Sequence, residues 1–208
     1  MRILSICGIA VAGGGILTFL INSGLTPFLQ SDAPFPETAG SALFLWRQSL
    51  SALAAVLLLF GSIGLYLQQA ETAGRFGAIA FLLAFIGSAL LLAHEWSQIF
   101  FVRELAFSAP EVLQSLESEE KLNLFNISAL AALSTFVLGW ILFSISMLKT
   151  SVYSRRGPIL LIVGFFATPM LAAALPDMWG LIIGNAVLGS GWFLLGSELY
   201  SSNRYKGV

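Results

Sequence analysis

Long apolar stretches alternate with short polar segments along the 208-residue chain, and six of the stretches are long enough to cross a bilayer. A hydrocarbon core ~30 Å thick takes roughly 20 residues of helix at 1.5 Å rise each. The stretches cover residues 3–21, 42–67, 77–101, 124–148, 158–175 and 179–199. Lipid cannot satisfy open backbone groups, so each is read as a helix. The pattern predicts an all-α polytopic membrane protein, a six-transmembrane-helix bundle forming one domain over residues 1–208. The first apolar run, Ile3 to Ile21, exceeds the 7–15-residue core of a secretory signal. No small-residue cleavage site follows closely, so it is expected to stay as a helix.

The segments between spans differ in character. Residues 23–40 carry Pro27, Pro34 and Pro36 with Gly24 and Gly40, which predicts an irregular loop. Residues 103–122 carry a helix-start signal: Ser108 as N-cap, Pro110 in the first turn and Glu111 at capping-box spacing. Val112, Leu113 and Leu116 then share a face while Glu117, Glu119 and Glu120 stay wet. A short outer amphipathic helix is the expectation, a connector resting at the interface.

Composition agrees with the pattern. Hydrophobic residues make up 57% of the chain and charged residues 10%, and mean hydropathy is +0.88. Soluble domains carry about 25% charged residues, so this inventory cannot cover a water-facing surface. A formal net charge of -1 leaves no basic footprint for nucleic acid. The single cysteine, Cys7, excludes an intrachain disulfide.

Charge placement sets the orientation. Arg2, Arg75, Lys149, Arg155, Arg156, Arg204 and Lys206 fall on the side shared by the N-terminus, the 68–76 and 149–157 loops and the C-terminal tail. Arg103 and Lys121 share the other side with Asp32, Glu37, Glu104, Glu111, Glu117, Glu119, Glu120 and Asp177. The positive-inside rule then puts both termini in the cytoplasm, with the chain in the cell membrane. Two cytoplasmic termini need an even number of spans, in agreement with six.

Small residues predict how the helices touch. Span one has Gly8, Ala12, Gly13, Gly14 and Gly15, and span six has Gly184, Gly189, Gly191 and Gly196. Helices in lipid approach closely through such residues, and internal packing is favoured here over a dimer face. A faint repeat, Ser51-Ala-Leu-Ala-Ala55 against Ser128-Ala-Leu-Ala-Ala132, is compatible with chance in so restricted an alphabet.

One polar constellation carries the candidate chemistry. Arg47 and Gln48 lie near the outer end of span two; His94, Glu95 and Gln98 lie near the outer end of span three. Asn126 opens span four, and Asn185 lies about two turns below the outer end of span six, near Thr168 and Pro169 of span five. Charged groups at membrane depth usually face the bundle interior and pair with one another, so an Arg47–Glu95 pair is expected, with His94 as its proton-sensitive neighbour. Trp46 and Trp96 flank the same residues, and an interfacial anchor of aromatics and snorkelling charges is the competing reading.

Other chemistries fail on inventory. His94-Glu95-Trp96-Ser97-Gln98 has glutamine where a zinc protease needs its second histidine, and the chain has one histidine in all. Lys121, Lys149 and Lys206 lie outside the spans, and so do Asp32 and Asp177, which leaves neither a Schiff-base lysine nor an intramembrane aspartyl pair. Gly189-Ser190-Gly191 lacks a histidine at matching depth, and the Asn126-Ile-Ser128 sequon sits inside the start of span four. No metal or cofactor is expected, and an enzyme is disfavoured. The first functional reading is a small transporter, channel subunit or ligand-binding protein for a small molecule or ion, its external pocket lined by Arg47, Gln48, His94, Glu95, Gln98, Asn126 and Asn185. The alternative is a structural or assembly subunit that docks on a membrane-protein partner or on its own copies in the lipid bilayer. A lipid-active membrane enzyme with His94 and Glu95 as acid and base is the third.

Overall fold

Helix accounts for nearly all of the computed structural model, which describes residues 2–29, 33–117, 123–175 and 178–204. Asp32, Glu119, Glu120, Lys121, Asp177 and Lys206 lie outside the described residues. In chain order, α1 (Arg2–Leu20) runs on through a π turn, Ile21–Leu25, and a 3-10 turn, Thr26–Phe28. Next come α2 (Phe35–Gly40) and α3 (Ala42–Ser97), then a π turn at Gln98–Val102. The remaining elements are α4 (Arg103–Ser108), α5 (Pro110–Glu117), α6 (Leu124–Thr150), α7 (Arg156–Ala174) and α8 (Trp179–Arg204). Five helical stretches are long and apolar enough to cross a membrane, and the longest is Ala42–Ser108.

α3 folds back on itself. Extended, its 56 residues would be about 84 Å long. Yet the rings of Tyr66 and Phe81 stack with centroids 4.4 Å apart, where fifteen residues of straight helix would separate them by about 22 Å. The reversal sits at Gly74, with φ 58° and ψ −164°. A side chain at that backbone conformation would clash, so only glycine adopts it without strain. Two antiparallel arms result, residues 42–73 and 75–97. The 68–76 segment expected as a loop is therefore helical on both sides of a single glycine; its polar residues read as loop only because they interrupt the apolar pattern.

Around the bundle the order is α8, α1, first arm, second arm, α6, α7, and back to α8. Small residues close several of these seams. A Cβ placed on Gly15 would stand 2.7 Å from the Gly189 carbonyl oxygen, and one on Gly189 would stand 2.8 Å from that of Gly15. The backbones of α1 and α8 thus touch, the internal packing expected of the glycines in spans one and six.

The end of the bundle near Gly74 is filled. Trp140, Phe143, Met147, Leu161, Leu195 and Leu199 are fully buried in one continuous core. Trp140 donates to Ser88 Oγ at 3.1 Å, and the buried Tyr153 hydroxyl donates to the Leu65 carbonyl at 2.9 Å. Burial, then the nearby Glu198 carboxylate, pushes the Tyr153 phenol far above its ordinary range. Arg75, Lys149, Arg155 and Arg156 gather at this end, with Lys149 over the Phe76 ring at 4.5 Å.

The opposite end carries α2, α4 and α5, and two local expectations change there. Residues 35–40 form a helix where an irregular loop was expected, because Pro36 occupies its first turn and needs no N–H there. Ser108 is not an N-cap: it ends α4, and its hydroxyl donates to the Glu104 carbonyl at 2.8 Å. Ala109 precedes α5 instead, its carbonyl accepting from the N–H groups of Val112 and Leu113. On α5, Leu113 is buried with Ala39, Phe44 and Val102, whereas Val112 points outward and is half exposed. The expected apolar face is thus narrower than three residues. Arg103 ties α4 to α3 by donating to the Ser41 carbonyl at 2.7 Å.

Candidate functional site

A cavity of about 520 Å³ lies in the half of the bundle nearer α2, and every bundle helix borders it. α1 and its π turn contribute Thr18, Ile21 and Asn22, while the first arm contributes Arg47, Ser51 and Leu58. Leu91 and Glu95 come from the second arm, and Leu133, Phe136 and Val137 from α6. α7 supplies Phe165, Thr168 and Pro169; α8 supplies Asn185, Leu188 and Trp192. From Arg47 to Leu58 is eleven residues, so the cavity runs about 16 Å along the helices. Its polar groups gather near the α2 end, and its deeper wall is aromatic. Phe165 and Trp192 meet edge to face at 5.8 Å, and Phe136 lies 6.1 Å from Trp192. Below Trp192 begins the packed core.

Arg47 and Glu95 form the ion pair that their sequence positions suggested, Nη1 to Oε2 at 3.9 Å. Arg47 is shared among several acceptors. Its Nε donates to Thr26 Oγ1 and its Nη2 to Asn22 Oδ1, each at 3.4 Å, and Nη1 also donates to the Gln48 side-chain oxygen. Glu95 is less well supplied. The residue is 8% exposed, and Oε2 is buried without a hydrogen-bond donor among the described residues. A buried oxygen in that state is costly, and a group that donates to it recovers the cost. The Trp192 Nε1–H, also buried, has no acceptor among the described residues.

Local helix chemistry shapes the rest of the lining. Thr18 and Thr168 donate their hydroxyls to carbonyls one turn back, at 2.9 and 2.7 Å, and Asn185 donates to the Leu181 carbonyl at 2.8 Å. These back-bonds satisfy side chains that would otherwise be stranded in an apolar bundle. Pro169 sits inside α7, lacks an N–H and so frees the carbonyl of Phe165, its neighbour in the cavity wall.

Of the seven residues expected at the site, Arg47, Glu95 and Asn185 border the cavity. Gln48 is buried behind Arg47 and serves it as an acceptor. His94 and Gln98 share a face as their spacing implied, with side-chain nitrogens 3.4 Å apart, but they stand away from the cavity lining. Asn126 stands away from the cavity lining, in the first turn of α6, where its backbone N–H is capped by Asn123 Oδ1 at 2.9 Å. Asn22 and Trp192 were not anticipated. Asn22 falls just beyond the apolar run of span one, and only the continuation of that helix through the π turn brings it beside Arg47. Trp192 follows Gly191 in a small-residue stretch, where a packing role hides its position in the wall.

No family model, curated protein or solved structure matches the chain.

Proposed function

We propose that this chain is a six-span membrane protein with both termini cytoplasmic, and that its external half binds a small molecule in the cavity beside Arg47 and Glu95. Supporting the span count, the two arms of α3 are antiparallel, each long enough to cross. Supporting the orientation, Arg75, Lys149, Arg155 and Arg156 sit together at the Gly74 end, while Glu37, Glu104 and Glu111 sit at the other. α5 then rests at the external interface.

The observation that carries the binding role is the buried Glu95 oxygen, without a donor among the described residues at the edge of a cavity of ligand size. Sites for small molecules occupy roughly 300–1,000 Å³, with apolar walls and a few convergent polar groups. The filled cytoplasmic half favours a carrier or receptor over an open pore.

The test is thermal unfolding of the purified full-length protein against a panel of amino acids, amines, organic acids, nucleosides and single-chain lipids. A ligand at a hundredfold its Kd adds about 2.7 kcal/mol of stability. The expected result is a stabilising compound whose effect is lost in Glu95→Gln and Asn185→Leu but kept in His94→Ala. Stabilisation that survives both pocket substitutions, or that no compound provides, refutes the assignment.

A further inference from the structure

The ring of helices is sealed unevenly. α1 and α8 touch through glycine, and so do the second arm and α6: a Cβ on Gly87 would stand 2.5 Å from the Phe136 backbone nitrogen. α7 and α8 are equally close, since a Cβ on Gly164 would stand 2.9 Å from the Leu188 nitrogen. The tightly packed glycines of α6 and α7 thus face away from each other, Gly139 toward the second arm and Gly157 and Gly164 toward α8. Across the α6–α7 seam the contact is ring to ring, Phe136 against Phe165 at 6.0 Å and edge to face.

Above that ring pair, toward the α2 end, the wall is Leu133 on one side and Pro169 on the other. Both border the cavity, and they are exposed residues in a lining that is otherwise mostly buried or half-buried, Leu133 at 53%. A side chain shared by the cavity and the lipid-facing surface marks where the two communicate. Pro169 loosens α7 at the same level by removing one helical hydrogen bond.

We infer that the pocket loads from the hydrocarbon layer, through the gap between α6 and α7, and takes a single-chain amphipath of no net charge whose head donates a hydrogen bond. This deepens the pocket reading above and rests on it. Three observations define the class. Arg47 and Glu95 already balance, so an occupant with net charge would leave that charge uncompensated at membrane depth. Arg47 is engaged by Asn22, Thr26 and Gln48, whereas the Glu95 oxygen lacks a donor among the described residues, so a hydroxyl or amide head finds its partner there. The deeper wall, formed by Leu58, Phe136, Phe165, Leu188 and Trp192, is apolar except for the Trp192 Nε1–H and suits one alkyl chain.

The full-length protein in phosphatidylcholine nanodiscs is photolabelled with a diazirine-bearing dodecanol. Matched dodecyltrimethylammonium and dodecanoate probes are run beside it. The dodecanol probe is expected to label the peptides holding Val137, Phe165 and Trp192 about tenfold more than either charged probe, a difference of about 1.4 kcal/mol. Leu133→Trp, which fills the gap and leaves Arg47 and Glu95 alone, is expected to suppress labelling at Trp192. Leu133→Ala, which widens it, is expected to speed labelling and stands in if the tryptophan variant does not fold. Leu130→Trp, one turn away on the exposed face, is expected to change nothing. Equal labelling in all Leu133 variants overturns lateral entry while the pocket stands. Stronger pocket labelling by a charged probe overturns the ligand class. Failure of every probe to label the pocket overturns both this inference and the reading beneath it.

Discussion

Replacing Arg47 and Glu95 by leucine, singly and together, separates a well-supplied charge from a dependent one. At 3.9 Å and an effective dielectric near 20, their attraction is about 4 kcal/mol before desolvation is counted. Arg47→Leu removes that attraction and leaves the Glu95 oxygen buried with neither a counter-charge nor a donor. The expected cost is about 3–5 kcal/mol, the usual toll of stranding a buried ion. Glu95→Leu removes the same attraction, but Arg47 keeps Asn22, Thr26 and Gln48 as acceptors, and its side chain is 22% exposed. Its expected cost is smaller, about 1–2 kcal/mol. The double variant sets two leucines in an apolar wall and should lie within about 1 kcal/mol of the parent. The two single costs therefore exceed the double cost by about 3 kcal/mol or more, a coupling well above the scatter of independent sites. Reversible unfolding in mixed micelles, followed by far-ultraviolet circular dichroism, measures all four corners of the cycle. Additive costs, or a Glu95→Leu penalty as large as that of Arg47→Leu, refute the account of who depends on whom.

Two further predictions concern the packed half. Trp140→Phe gives up a bond to Ser88 whereas Trp192→Phe gives up none, so Trp140→Phe should cost about 1 kcal/mol more in the same unfolding assay; equal costs exclude the difference in hydrogen bonding as its cause. The Tyr153 phenol ionises less readily when folded than when unfolded, so its contribution is fully present below the ordinary tyrosine pKa of about 10 and is lost as pH rises above it. Stability should fall with increasing pH in that alkaline range, and Tyr153→Phe should flatten the fall; an unchanged slope in the variant rejects this assignment.

Helix positions were legible because a long apolar run leaves helix as the only way to satisfy its backbone, and the helices begin or end within a few residues of the apolar runs. The ends that differ do so for a common reason. Beyond an apolar run a helix is free to carry polar residues, as residues 68–73 and α4 do, and hydropathy has nothing to report there. Gly74 illustrates the limit: twenty glycines occur in the chain, and only the backbone angles distinguish the one that reverses a helix. The Arg47–Glu95 pair was legible because charge inside an apolar run is costly and must find its opposite. His94 was harder to place, because a moderately polar group near a helix end is satisfied equally well by a local contact, here with Gln98 one turn on. Trp192 was hidden altogether, since no periodicity tells which face of so apolar a stretch, residues 186–196, borders a void.

The reversal at Gly74 also constrains motion. With one residue between them and Tyr66 stacked on Phe81 seven residues beyond the bend, the two arms have no slack to slide or part. Whatever breathing admits an occupant must carry them as a single lever, with α6 riding on the second arm through Gly87 and Gly139. The pliable partner is then α7, already notched by proline and hinged to α6 by residues 151–155.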